Sequence, residues 1–77
     1  MYTIVGFSRR AGDFEGRPYD NTMLYCQKVD PDPGVTGVEV EVIKVPTSAF
    51  ERAGLKIGDS FMPYRDRYGR VVDIIIR

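Results

Sequence analysis

The sequence contains no histidine at all. The commonest general acid–base group and metal ligand is therefore missing, which removes most hydrolytic and metal chemistry from consideration. Its single cysteine, Cys26, excludes an intramolecular disulfide and fits a reducing cytosol. With no histidine to activate it, that thiol reads as a small core residue rather than a nucleophile. Long apolar runs are also lacking. The N-terminal MYTIVGFSRR reaches two arginines after a short apolar stretch, and Ile74-Ile75-Ile76 is strand-sized. Neither suits a signal peptide or a membrane span, so a soluble, cytoplasmic chain without a membrane partner is expected. Glycine-rich phosphate loops are absent, and Asp30 and Asp32 lie in a proline turn without a third ligand. The sequence thus predicts no enzyme activity, no cofactor, no metal and no small-molecule substrate.

Net charge is lacking too: 11 basic side chains balance 11 acidic ones. Taken alone, that balance argues against a polyanion binder. The placement of the charges softens the objection. Eight of the basic residues are arginine, the better fork for phosphate and the better plate for stacking. They gather at Arg9, Arg10 and Arg17 and again at Arg65, Arg67 and Arg70, while Asp30, Asp32, Glu39 and Glu41 occupy the middle. A neutral chain can still carry a basic face.

What is present suffices for one small domain over residues 1–77. Hydrophobic residues make up 43% and aromatics 12%, too much for a disordered chain. Residues 2–7 (YTIVGF) read as a first strand. Residues 9–18 (RRAGDFEGRP) read as a loop or wide bend. Residues 19–29 read as a second strand in which Tyr19, Asn21, Met23, Tyr25 and Gln27 share one parity, opposite to Thr22, Leu24, Cys26 and Lys28. The DPDPG of residues 30–34 is a turn. Val38, Val40 and Val42 then alternate with Glu39 and Glu41, predicting valines towards the core and glutamates towards water until Pro46 ends the strand. Ser48 and Glu51 have capping-box spacing, Gly54 suits a left-handed C-cap, and Phe50 and Ala53 form the buried side of a helix of about one and a half turns. Residues 55–64 predict a fourth strand, bulged at Gly58 and restricted to an unpaired or edge position at Pro63. Residues 65–70 form a hairpin tip with Gly69 at positive φ. Residues 71–76 predict a fifth strand, with Val71, Asp73 and Ile75 on one face and Val72, Ile74 and Ile76 on the other.

Three strands, a short helix and two strands give an all-β class. The expected architecture is a five-stranded, OB-fold-like barrel with its helix between strands 3 and 4. An SH3-like barrel is the competitor.

Two constellations could bind a ligand. The hairpin tip sets Arg65, Arg67 and Arg70 around Tyr68, whose ring cannot be buried by its own sheet. Bases stack on such rings, and flanking arginines neutralise phosphates. A merely solvated tip is the alternative. The second group is Arg9, Arg10, Arg17 and Tyr19, with Phe14 between them; for Phe14 the favoured reading is that it closes one end of the barrel. If Leu24 and Cys26 fill the core, Tyr25 and Met23 lie with Tyr19 on the outer face. Apolar groups on both sides of the last strand, with Val71 and Ile75 available to a partner subunit, predict a homodimer.

Gly16-Arg17-Pro18-Tyr19 followed by Leu24-Tyr25-Cys26 resembles the G-[KR]-P-Y…L-C-Y segment of the filamentous-phage, helix-destabilising single-stranded DNA-binding proteins. The likeness continues in Tyr68-Gly69 leading into a hydrophobic strand with Asp73. Related small proteins occur on phages and conjugative elements. The resemblance implies an OB-like, two-fold dimer that coats single-stranded DNA cooperatively during replication, with Tyr19 and Tyr68 stacking on bases. This chain departs from the family in its capped helix and in a Tyr19–Cys26 spacing one residue shorter. The expected function is sequence-tolerant binding of single-stranded DNA, RNA being a variant, through Arg9, Arg10, Arg17, Tyr19, Tyr25, Arg65, Arg67, Tyr68 and Arg70. The alternative is a small barrel that docks a peptide or protein partner.

Overall fold

The first two strands are longer than the sequence suggests and make one long hairpin. In the computed structural model, which describes residues 1–76, β1 (Tyr2–Phe14) and β2 (Arg17–Lys28) pair without interruption from Gly6↔Tyr25 to Phe14↔Arg17. The expected loop over residues 9–18 is therefore two strands joined by Glu15-Gly16. Both turn residues have positive φ, 50° and 76°, as a two-residue hairpin of the primed type requires. Gly12 does not break the ladder because Tyr19, its cross-strand partner, lays its ring over it.

The remaining elements are β3 (Val40–Pro46), helix α1 (Thr47–Ala53), β4 (Ser60–Arg65) and β5 (Val71–Ile76). They form one antiparallel sheet in the order β3-β2-β1-β4-β5, a mostly β fold with one short helix. Its core is Ile4, Leu24, Cys26, Ile43, Val45, Leu55 and Phe61, closed over by Tyr2, Phe50, Ala53, Val71 and Ile74. Leu24 and Cys26 fill the core, which settles a parity that the sequence had left conditional. Burial, with the Glu41 carboxylate adding to it, pushes the Cys26 thiol up to about 11.

The expected closed barrel is not formed. Among the described residues no backbone ladder joins β3 to β5, and β1 meets β4 at only Tyr2↔Phe61 and Thr3↔Ser60. The β5 edge is bulged: Tyr64 pairs with Asp73 but Arg65 with Val71, so Val72 has no partner. A bulged edge cannot continue a regular ladder. Side chains make nearby links instead: Arg65 at the end of β4 reaches Glu41 of β3 at 3.5 Å, and Arg52 of the helix reaches Asp73 of β5 at 3.3 Å.

Three parity expectations change for similar local reasons. Ile43 and Val45 set the inner face of β3, so Val40 and Val42 are 67% and 53% exposed rather than in the core. Glu41 points inward and accepts a 3.0 Å bond from the Tyr2 hydroxyl. In β5 the bulge brings Val71 and Ile74 together on the core side, leaving Val72 and Ile75 exposed, so Val71 is not available to a second subunit. β4 begins at Ser60, not Leu55, because residues 54–59 form a turn in which the Gly58 N–H donates to the Ile4 carbonyl at 2.7 Å.

The helix starts at Thr47, directly off Pro46, so the Ser48–Glu51 capping box is not made and no side chain caps the N-terminus. Thr47 is buried, its hydroxyl 2.9 Å from that of Thr22. Gly54 closes the other end in the left-handed region as anticipated, with φ 67°.

Asp20 offers a test of pH dependence. The Arg9 guanidinium, then the Thr47 hydroxyl, hold its carboxyl down at about 2 against an ordinary 3.8. A carboxyl whose folded pKa is depressed stabilises the fold fully above its unfolded value and loses that contribution as pH falls towards the folded one. Stability of Asp20→Asn should therefore depend less steeply on pH between about 4 and about 2 than that of the parent. Urea midpoints across that range measure it, and identical slopes would remove Asp20 from the acid response.

Candidate nucleic-acid interface

Strand parity sorts the charges of the first three strands. The ladder registers put Ser8, Arg10, Gly12 and Phe14 of β1 on the same side as Arg17, Tyr19, Asn21, Met23 and Tyr25 of β2, and Val40, Val42 and Lys44 of β3. This side lies opposite the core residues Leu24, Ile43 and Val45. The carboxylates Asp13, Asp20 and Glu41 have the other parity. Among the described residues of these strands, the outer face thus carries three cations and no acid.

Tyr25 is held flat on this face. Its ring packs over Gly6, and its hydroxyl lies 3.1 Å from that of Ser8. Tyr19 lies over Gly12 in the same way and is 44% exposed. Phe14, expected to close a barrel end, is instead 69% exposed beside the hairpin turn, because β1 and β2 run on past the core. Next to Tyr25, Val5, Val40 and Val42 line an apolar hollow of about 270 Å³. Val5 reaches it because a bulge leaves it unpaired between Ile4 and Gly6.

The other expected residues divide by their partners. Arg9 has inner parity, and its Nε donates to Asp20 at 2.9 Å. Arg65 is held by Glu41 and by the Gly69 carbonyl, and Arg70 by Asp66 at 3.1 Å. Asp66 also accepts the backbone N–H groups of Tyr68 and Arg70, which builds the hairpin tip around its carboxylate. Tyr68 is 72% exposed, with the Arg67 and Arg70 guanidinium carbons 5.4 and 5.5 Å from its ring centre.

The two arginine clusters do not merge. Arg65 reaches Glu41 near the start of β3, whereas Tyr19 lies two residues beyond Asn21, the partner of Pro46 at the strand's end. At a strand rise of about 3.3 Å per residue, this places them roughly 20 Å apart along the sheet. A cleft of about 530 Å³ lies between β3 and β5, where Arg65, Arg70, Lys44, Asn21 and Glu41 join apolar side chains in its lining.

Lys44, Gly6 and Gly12 were not singled out in the sequence. Lys44 needed the β2–β3 register. The glycines had a legible signal: Gly6 and Gly12 are spaced six apart, as are Tyr19 and Tyr25, and a turn at Glu15-Gly16 sets the pairs opposite each other. Among the described residues no cluster of three metal-ligating groups occurs, and no helix is long and apolar enough to cross a membrane. No protein-family model, curated protein or solved structure matches the chain.

Proposed function

We propose that this chain is a sequence-tolerant single-stranded DNA-binding protein that coats DNA during replication of a phage or mobile element. The observation that carries this reading is the acid-free outer face of β1–β3, on which Tyr19 and Tyr25 lie beside Arg10, Arg17 and Lys44. Aromatic plates for bases interleaved with cations for phosphates are what binding to single strands requires. The fold is read as an OB-like barrel opened along the β3–β5 seam. Such barrels bind oligonucleotides on the face of their second and third strands and on the loops joining strands 1–2 and 4–5. Here those are the faces and hairpin tips that carry Tyr25, Tyr19 and Tyr68.

Titrating labelled oligo-dT by fluorescence anisotropy at two salt concentrations tests the proposal. Affinity should fall as salt rises, with a logarithmic slope near −0.7 for each phosphate neutralised. Tyr68→Ala should weaken binding by roughly 1–3 kcal/mol. Unchanged affinity in that variant takes the β4–β5 tip out of the interface, and no binding at low salt removes the function.

One observation favours a second reading, a peptide-docking module. The Lys28 N–H donates to the Glu39 carbonyl, so the ladder alternation turns the backbone groups of Val40, Val42 and Lys44 away from β2. They form a free strand edge beside the apolar hollow at Val5 and Tyr25. An extended peptide could add there as a further strand.

A further inference from the structure

The two tyrosines on the outer face differ from ordinary strand aromatics in what lies beneath them. Each is opposite a glycine of β1. A Cβ built on Gly12 would stand 3.0 Å from the Tyr19 hydroxyl oxygen and 3.3 Å from the ring carbon bearing it. A Cβ on Gly6 would meet the Tyr25 ring at an ordinary 3.7 Å. The bare Cα of Gly12 is therefore the space that the Tyr19 ring occupies. A ring lying against the sheet hides one π face and offers the other outward. A ring lifted off the strand would wave in solvent and lose rotamer freedom on binding.

Resting on the single-strand reading above, we propose that Gly12 is a positioning residue that seats Tyr19 flat for base stacking. Tyr19 and Tyr25 are then two ends of one platform, whose ligand is a single strand long enough to cover both. They are six residues apart on β2, about 20 Å at a rise of 3.3 Å per residue. At the stacked spacing of about 3.4 Å a strand covers that distance in about six nucleotides, and in fewer when stretched. Arg10, Met23, Ser8 and Asn21 lie between the two rings, on the path of the intervening backbone.

Gly6 supplies an internal control, because a Cβ there meets the Tyr25 ring at an ordinary contact distance and need not displace it. Alanine also suits a strand better than glycine does, so Gly12→Ala should leave the thermal midpoint unchanged or raise it. The experiment titrates oligo-dT of about three and about ten nucleotides against the parent, Gly12→Ala, Gly6→Ala, Tyr19→Ala and the Gly12→Ala/Tyr19→Ala double variant. The parent should prefer the longer probe. Gly12→Ala should bind it about fivefold or more weakly, the lower end of one lost stack. The double variant should be no worse than Tyr19→Ala, and Gly6→Ala should match the parent. Proton NMR reads the seat without any DNA: the Gly12 α-protons should be shifted by the Tyr19 ring current, and the shift should vanish in Tyr19→Ala.

A parent that binds the longer probe while Gly12→Ala binds it equally well overturns the positioning role and leaves the single-strand reading standing. Loss in Gly12→Ala that adds to the loss in Tyr19→Ala also overturns it, since the glycine would then act apart from the ring. A parent that binds neither probe at low salt overturns the function itself.

Discussion

Phe61→Ala is expected to remove about 3–5 kcal/mol of stability, the usual loss for a buried aromatic truncated to alanine. Phe61 is fully buried, stacks at a tilt on Tyr2 with ring centres 6.0 Å apart, and belongs to one of the two residue pairs that join β4 to β1. The change therefore opens a cavity at the place where the β4–β5 hairpin is least secured by backbone. A chain of 77 residues has a total stability of about 4–12 kcal/mol. At the lower end of that range the variant would lie near or past the point of unfolding at room temperature. Urea denaturation followed by far-ultraviolet circular dichroism measures this, with Val40→Ala as the comparison. Val40 is as apolar but two-thirds exposed, and its loss should stay within about 0.5 kcal/mol. A Phe61→Ala midpoint close to that of the parent would contradict the core described above.

The second large effect concerns salt. Removing Arg10, Arg17 and Lys44 together should flatten the logarithmic salt dependence of oligonucleotide binding by about 2, three phosphates at about 0.7 each. Between about 50 and about 200 mM salt, the parent should lose about 20-fold more affinity than the triple variant. The control removes the same charge elsewhere, as Arg9→Ala/Arg52→Ala/Lys56→Ala. Arg9 and Arg52 are already paired with Asp20 and Asp73. If binding answers only to net charge, both triple variants will flatten the slope alike. If the outer face makes the contacts, only the first will. Equal slopes in parent and first variant would put the phosphates somewhere other than this face.

The order of elements was legible in the sequence because its signals are local. Val71–Ile76 and the DPDPG turn speak for themselves, and Gly54 closes the helix where a left-handed cap was anticipated. The parity of β2 stayed conditional, since Met23 and Tyr25 suit a core as well as Leu24 and Cys26 do, and the strand registers decide it. What misled was periodicity read without a register. Val38, Val40 and Val42 make a cleaner pattern than Ile43 and Val45, yet pairing of Leu24 with Ile43 decides which side of β3 is buried. The bulge at Val72 defeats simple alternation in β5 for the same reason.

The candidate site was readable in its residue types and not in its geometry. Tyr19 and Tyr25 share a parity legible in the sequence, whereas Arg10 and Arg17 join their face only because the expected loop over residues 9–18 is paired strand. Arg9, adjacent to Arg10, goes to the other face by the period of two, a distinction that clustering in sequence hides. The acids that cancel the net charge are long-range partners: Asp20 for Arg9, Glu41 for Arg65 and Asp73 for Arg52. Only tertiary pairing shows which cations remain free.

Cys26, 1% exposed and pushed up to about 11, has a practical consequence. Thiolates, not thiols, react with maleimides and disulfide reagents. Towards such labels the native chain will behave as though it had no sulfhydryl. A cysteine introduced at Met23, between Ser8 and Lys44 and on the stretch separating the two seated tyrosines, would then take a fluorophore at one defined position without deletion of the native residue.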